Sequence, residues 1–312
     1  MTTRDAFLFG LGATLATATR ARAAEPTPLQ LGAMPIDPSG EAFYGQDGGF
    51  FRSAGLDVKV TVLNNGSALA AATSAGTLDV GFGSPAPVIL AHQRGLAVRF
   101  IAPAAVYTGP LPNSSLMVAK GSPIRTGADL NGKTVAVAGL HDLTQYSTQA
   151  WIDKNGGDSK SVAFIEVPYA EMGVALQQNR IAAGCVIEPY TTAVKAIAQT
   201  IGNLNDAIAH RYLLAGWFAT EPWLAQHAPV AERFIAAMSK IARWANAHHR
   251  ESGAILTTYT KISPETIATM SRSRYDENPR VEPAVLQPVI DVMVKYGGLK
   301  PLAATDLIWS PA

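Results

Sequence analysis

Apolar positions follow two rhythms along this chain. Short runs that alternate as strands do, such as LDVKVTVL at 56–63, are interleaved with stretches at helical spacing. The first block predicts a strand over 29–34, a helix over 41–53 stopped by Gly55, the strand 56–63, a loop at Asn64–Gly66 and a helix over 67–74. A strand over 78–83 then leads to Pro85, which suits the first turn of a helix running to Gln93. A strand over 98–107 closes the block. A second block of similar size reads as strands at 115–120, 134–138, 162–168 and 182–189, with helices at 144–154, 170–179 and 191–199. From about Tyr212 the pattern is helical, over 221–249, 252–259, 264–270 and 283–296. In the first of these, Phe234, Met238, Ile241 and Ala245 share one face, which must pack against something.

Repeated strand–helix units predict an α/β fold with mostly parallel central sheets. Two such units without a long flexible linker between them predict two lobes and a cleft. Ligands of open α/β sheets bind outside the carboxyl ends of the strands, and interfaces between domains favour pockets.

Composition narrows the function classes. The chain has 312 residues, 48% hydrophobic and 16% charged, enough for one large core or two modest ones. Its opening, MTTRDAFLFGLGATLATATRARAAEPTP, has a basic start, an apolar stretch over Ala6–Ala18 and a small-x-small pattern at Ala21–Ala23. That reads as an export signal over 1–23, since the apolar run is shorter than the roughly 20 residues of a membrane span. Without Arg4, Asp5, Arg20 and Arg22, 22 basic and 23 acidic side chains remain, so no basic face calls for nucleic acid. The lone Cys185 allows no internal disulfide and no thiolate-rich metal site.

Three strings carry a family resemblance: LDVGFGSPAPVILAHQRG, LMVAKGSPIRTGADLNGKTVAV and ALQQNRIAAGCVIEPYTTAV. In order and spacing they resemble the exported substrate-binding proteins of ABC importers, in the branch of alkanesulfonate, taurine, nitrate and thiamine-precursor (NMT1/THI5-like) binders. SPIRTGADLNGK is the most specific part, and the resemblance spans 28 to about 300. It implies a two-lobed clamshell of the type II periplasmic-binding-protein fold. Lobe I would comprise 24–113 and 212–312, and lobe II 114–211. It further implies a periplasmic, monomeric protein without cofactor or metal that delivers a small organic ligand to an inner-membrane ABC permease.

Several residues are candidates for the ligand. Asn65–Gly66–Ser67 and Gly83–Ser84–Pro85 each join a strand end to a helix start, where unpaired N–H groups either face a ligand or are simply capped. Tyr44 and Tyr107 offer a ring and a hydroxyl, or serve as core residues with one polar end. Met34 would add an apolar wall and Trp217 would line the cleft. Glu188, ending an apolar strand, is costly to bury unless paired. It either receives a ligand N–H with Tyr190 stacked beside it or caps the helix after it. The family's tryptophan two residues before the proline is replaced here by Ile187. In the turn Leu140–Thr144 the sulfonate branch carries serines, whereas this chain has His141, Asp142 and Thr144. Asp142 repels an anion, which argues against sulfonate, sulfate and phosphate and leaves carboxylates open.

No catalyst is expected. The chain has no G-x-S-x-G elbow and no H-E-x-x-H, and His248 and His249 point apart on a helix. A Ser84–His141–Glu188 triad across the cleft has no motif behind it, and the family's pyrimidine-synthase-like relatives are cysteine-rich. A ligand-dependent sensor of the same shape is the competing reading.

Overall fold

The computed structural model describes residues 25–109 and 114–311. The expected export signal over 1–23 lies outside the described residues. The strands are β1 (Thr27–Ala33), β2 (Leu56–Val62), β3 (Gly81–Gly83), β4 (Val98–Pro103), β5 (Ala105–Tyr107), β6 (Ser114–Ala119), β7 (Thr134–Val137), β8 (Ala163–Glu166), β9 (Ala183–Ile187), β10 (Ala198–Asn203), β11 (Tyr212–Leu213), β12 (Gly216–Thr220) and β13 (Arg274–Tyr275). The helices are α1 (Gly40–Asp47), α2 (Phe50–Ser53), α3 (Gly66–Ser74), α4 (Pro85–Gln93), α5 (Leu143–Lys154), α6 (Tyr169–Gln177), α7 (Tyr190–Ala193), α8 (Glu221–Ala247), α9 (His249–Thr260), α10 (Pro264–Thr269) and α11 (Pro283–Gly297).

One sheet, ordered β10-β6-β9-β7-β8, is built wholly from residues 114–203. Both its faces are covered, and the pleat divides the side chains as a period of two requires. Leu116, Val118, Val135, Val137 and Cys185 pack on one face, while Met117, Ala136 and Val186 pack on the other. The remaining strands form the pair β1-β2 and two three-stranded sheets, β3-β12-β4 and β11-β5-β13. The chain therefore leaves the first group after β5, builds the second sheet, and returns at β11. On return it places β12 between β3 and β4, with Trp217 opposite Phe82 and Ala102.

The sheets are mixed, which corrects the expectation of mostly parallel ones. Among the described strands, β1·β2, β7·β8 and β7·β9 pair in parallel and six pairings are antiparallel. Two of the antiparallel contributors, β10 and β12, come from segments that the apolar pattern did not mark as strands. The expected helix over 191–199 is one short turn, α7, followed by β10, which pairs with β6 from Ala198↔Ala119. Short apolar runs fit helix and strand equally well, and here edge pairing decides. The expected helix 41–53 breaks into α1 and α2 at Gly49, whose φ of 71° is a left-handed conformation that glycine adopts freely. The expected strand 98–107 divides at Ala104, so that β4 pairs with β12 while β5 pairs with β11 and β13.

The return segment also explains the longest helix. α8 carries an apolar stripe of Phe234, Met238, Ile241 and Ala245, all buried, beneath the β12 layer. It bends at His227, ahead of Pro229, whose missing N–H interrupts the ladder. Among the described residues no helix is long and apolar enough to cross a membrane.

A buried ion pair fastens the loop after β1. Arg272 Nε donates to Asp37 Oδ1 at 2.8 Å, and both side chains are almost wholly buried. Its Nη2 also donates to the Tyr44 hydroxyl at 2.8 Å. Removing one partner of such a pair strands the other charge, which costs about 3–5 kcal/mol. Asp37→Ala should lose stability on that scale in denaturant unfolding, and Asp37→Asn with Arg272→Met should recover part of it. Unchanged stability in Asp37→Ala would show that the pair does not hold the loop.

Candidate functional site

A cavity opens where the two groups of sheets face each other. The first group supplies Met34, Ile36 and Pro38 from the segment after β1, Gly66, Phe82 and Ser84, with Leu214 and Ala215 from the return. The second supplies Ser114, Asp142, Leu143, Thr144, Ser147, Tyr169, Ile187 and Asn205. Its volume is about 60 Å³. An engineered cavity that takes benzene is about 150 Å³. A larger ligand therefore requires the walls to move apart.

Helix starts converge on this space. Gly66 opens α3, Ser84 precedes α4, Asp142 precedes α5 and Tyr169 opens α6. Their unpaired N–H groups give the walls a positive bias. Asp142 is the charged side chain among the lining residues. Its Oδ1 accepts from Leu143 N at 2.6 Å and from the Ser84 hydroxyl, which reaches it from the other wall. Burial pushes the Asp142 carboxyl above its ordinary pKa, and these two donors pull it partly back.

Three polar groups in the lining have no hydrogen-bond partner among the described residues. They are Asp142 Oδ2, Thr144 Oγ1, which is wholly shielded, and the Tyr169 hydroxyl. Burial holds that phenol well above its usual pKa, so it is a neutral donor. Ser147 Oγ donates to Thr144 O at 3.2 Å, and Ser114 Oγ lies 3.5 Å from Cys185 Sγ. Burial raises the Cys185 thiol to about 12, so it is no thiolate. Among the described residues no group of three His, Cys, Asp or Glu side chains could hold a metal ion.

The structure brings together four of the residues named from sequence, Met34, Ser84, Asp142 and Thr144, and places the others outside the cavity. Asn65 caps α3, accepting from Ala68 N at 2.7 Å, and its neighbour Gly66 lines the wall. Tyr44 is fully buried, edge-on to Tyr275, with its hydroxyl on Arg272. Trp217 is fully buried because β12 is central, and its Nε1 donates to Glu41 Oε2 at 2.9 Å. It stands behind Phe82, which does reach the cavity. Tyr107 ties the groups of sheets together elsewhere, donating to Asp206 and accepting from Asn203 Nδ2 at 2.8 Å.

Glu188 is turned inward rather than toward a ligand. Its carboxylate accepts from Thr192 N at 3.1 Å, Thr192 Oγ1 at 2.9 Å and Ser271 N at 3.3 Å, so it caps α7 and ties it to the chain beyond α10. Tyr190 stacks on Tyr169 at 6.1 Å and supports that ring from behind. His141 is exposed with φ of 59°, so it serves as the left-handed corner before Asp142. The side chains of Ser84, His141 and Glu188, which no sequence motif joins, have other partners or none: Ser84 bonds Asp142 and Glu188 bonds Thr192 and Ser271.

Sequence reasoning missed Ser114, Ser147, Tyr169 and Asn205. Ser84, Ser114 and Ser147 bring hydroxyls to the cavity from the residue before α4, from β6 and from α5. Ser114 at the start of β6, and Ser147 one turn after Thr144 on α5, were the available signals.

The sequence profile described as NMT1/THI5 like matches residues 39–252. The chain belongs to that family. No curated relative matches it in sequence. Among solved structures it is similar to the ligand-binding component of an ABC-type import system from Staphylococcus aureus, determined with zinc bound. That pair shares 17% identity at a TM-score of 0.79, over 91% of this chain and 96% of that one. It is also similar to the periplasmic aliphatic sulphonate binding protein SsuA from Escherichia coli, at 18% identity and a TM-score of 0.72, over 92% and 93%. The desulfurization enzyme DszB matches at 15% identity and a TM-score of 0.66, over 90% and 96%. The shared fold is a two-lobed α/β one, and fold alone assigns no chemistry.

The raised pKa of Asp142 has a sign that can be checked. Burying the carboxylate costs stability above the folded pKa, and the cost is relieved as pH falls through it. Asparagine caps a helix as well as aspartate. Ligand-free Asp142→Asn should therefore melt higher than the parent at pH 7, with the gap closing toward pH 4 in a thermal-denaturation series. A gap that widens on acidification would contradict the burial cost.

Proposed function

We propose that this protein is the exported solute-binding component of an ABC import system. It captures a compact organic molecule in the cavity and passes it to a membrane permease. Residues 24–113 and 212–312 form lobe I and 114–211 lobe II, and residues 1–23 direct export to the periplasm. Family membership and the import proteins among its structural neighbours support this reading. The observation that carries it is the cavity between the two groups of sheets, with polar groups that have no partner among the described residues.

Those groups also favour a ligand class. Asp142 Oδ2 accepts, the Tyr169 hydroxyl donates, and Phe82, Ile187 and Met34 supply apolar walls. A small N–H-bearing or cationic organic molecule satisfies this set. A sulfonate brings a fixed charge toward Asp142 with no lysine or arginine in the lining to offset it.

The match to a desulfurization enzyme keeps an enzymatic reading in view. Against it stand a thiol held near 12 and a serine bonded to a carboxylate rather than to an imidazole. Calorimetric titration with small amines and N–H heterocycles, beside taurine and nitrate, tests the assignment. The first class should bind at micromolar levels or better and be recovered unchanged. Tyr169→Ala should weaken it at least tenfold. Binding of taurine or nitrate alone would overturn the ligand class, and conversion of a bound compound would favour the enzyme.

A further inference from the structure

Glu188 and Tyr190 stand where β9 gives way to α7, and neither lines the cavity. Both reach across to the first group of sheets instead. The Glu188 backbone oxygen accepts from Asp37 N at 3.3 Å, and its Oε1 accepts from Ser271 N at 3.3 Å. The Tyr190 hydroxyl donates to Pro35 O at 3.4 Å. These contacts interleave with the cavity wall. Met34, Ile36 and Pro38 line the cavity, while Pro35 and Asp37 between them hold the second group. On the other side Ile187 lines the cavity and the next residue, Glu188, makes the tie.

The receiving side is one unit. Asp37 accepts from Arg272 Nε at 2.8 Å and from Ser273 N, which fastens the loop after β1 to the chain beyond α10. Glu188 therefore seats against two donors, Asp37 N and Ser271 N, that are held together. On its own side the carboxylate keeps Thr192 N at 3.1 Å and Thr192 Oγ1 at 2.9 Å. The bonds within its own group are the shorter ones. If the groups part, the carboxylate retains both of them and water replaces Ser271 N, so no charge is stranded.

The opposite face of the sheet β10-β6-β9-β7-β8 meets the first group differently. There Leu143 and Tyr146 of α5 are buried in one apolar cluster with Val289, Ile290 and Met293 of α11. Separating that cluster exposes continuous apolar surface, whereas long hydrogen bonds exchange for bonds to water at small net cost. The apolar side is the pivot, and the polar side is where the groups separate.

We propose that Glu188 and Tyr190 form a latch that closes the cleft before a solute binds, and that the cleft opens by parting there while α5 and α11 stay in contact. This rests on the proposed function for what the cleft holds. None of the latch residues lines the cavity, so the latch works without a solute. A solute enters only when it is undone, and its strength sets how often the cavity is accessible.

The test uses the full chain without added solute, by small-angle X-ray scattering and by amide hydrogen exchange followed by NMR. Glu188→Gln turns an N–H donor toward Ser271 N or Thr192 N, and Tyr190→Phe removes the bond to Pro35 O. The double variant should have a larger radius of gyration than the parent. Its Asp37 and Ser271 amides should exchange about tenfold faster or more, the worth of one hydrogen bond to a charged group. The Ser273 amide, held by Asp37 within the first group, should keep its protection and so report an intact fold. Thr192→Val loses a bond inside the second group only, and should lower the melting temperature while keeping the parental radius of gyration. Parental dimensions and exchange in the double variant would overturn the latch. So would an equal expansion in Thr192→Val, which would trace the change to α7 itself. Because no solute enters these measurements, their failure leaves the ligand assignment standing, and a failed titration with amines leaves the latch standing.

Discussion

One carboxylate at the start of a helix organises the region where the two groups of sheets meet. Asp142 caps α5 through Leu143 N and accepts the Ser84 hydroxyl from the opposite wall. Capping alone would be met as well by serine or asparagine. Only a side chain that also reaches across the gap couples the start of α5 to the start of α4. Because the carboxylate is partly desolvated, each of its donors matters more than it would in water. Oδ2 has no hydrogen-bond partner among the described residues, and unlike Thr144 Oγ1 it is not sealed from the cavity. In the proposed reading a ligand donates to Oδ2 while Oδ1 holds Ser84, so affinity and the tie between the walls act through the two oxygens of one carboxylate.

The polar groups buried elsewhere fix shape rather than bind. Glu188 looks from sequence like a ligand contact and acts instead as a clasp between α7 and Ser271. Burial raises its pKa, and its three donors counter that rise. Asp37 and Arg272 hold the segment after β1, so that Ile36 and Pro38 present an apolar edge to the cavity. Tyr107, Asn203 and Asp206 close the other side. These clasps fix the shape of each margin of the cleft.

Much of the fold was readable from the chain. Elements with clear local signals fall within a residue or two of their expected limits: β2 alternates, α11 buries one face and α4 opens on Pro85. Elements defined by a distant partner were hidden. β10 and β12 are strands because β6 on one side, and β3 and β4 on the other, need antiparallel neighbours. No local pattern in 198–203 or 216–220 carries that information. Misplacing β12 also misplaced Trp217, whose burial follows from the central position of its strand. Site residues divide in the same way. Ser84 and Asp142, which line the cavity, stand at strand-to-helix junctions that announce themselves through glycine, proline and capping residues. Ser114, Ser147 and Asn205 were missed, since a lone hydroxyl or amide reads alike on any surface. Tyr44 and Glu188 were over-read, because chemistry alone cannot tell which way a buried polar tip points.

The most direct test is a crystal structure of the protein purified without unfolding, so that any captured solute is retained. The account predicts density for a compact organic molecule between the two lobes, with an N–H group against Asp142 Oδ2 and the Tyr169 ring alongside. A solute seated against Glu188 or Trp217, or an anion in the cleft with Asp142 turned away, would contradict it.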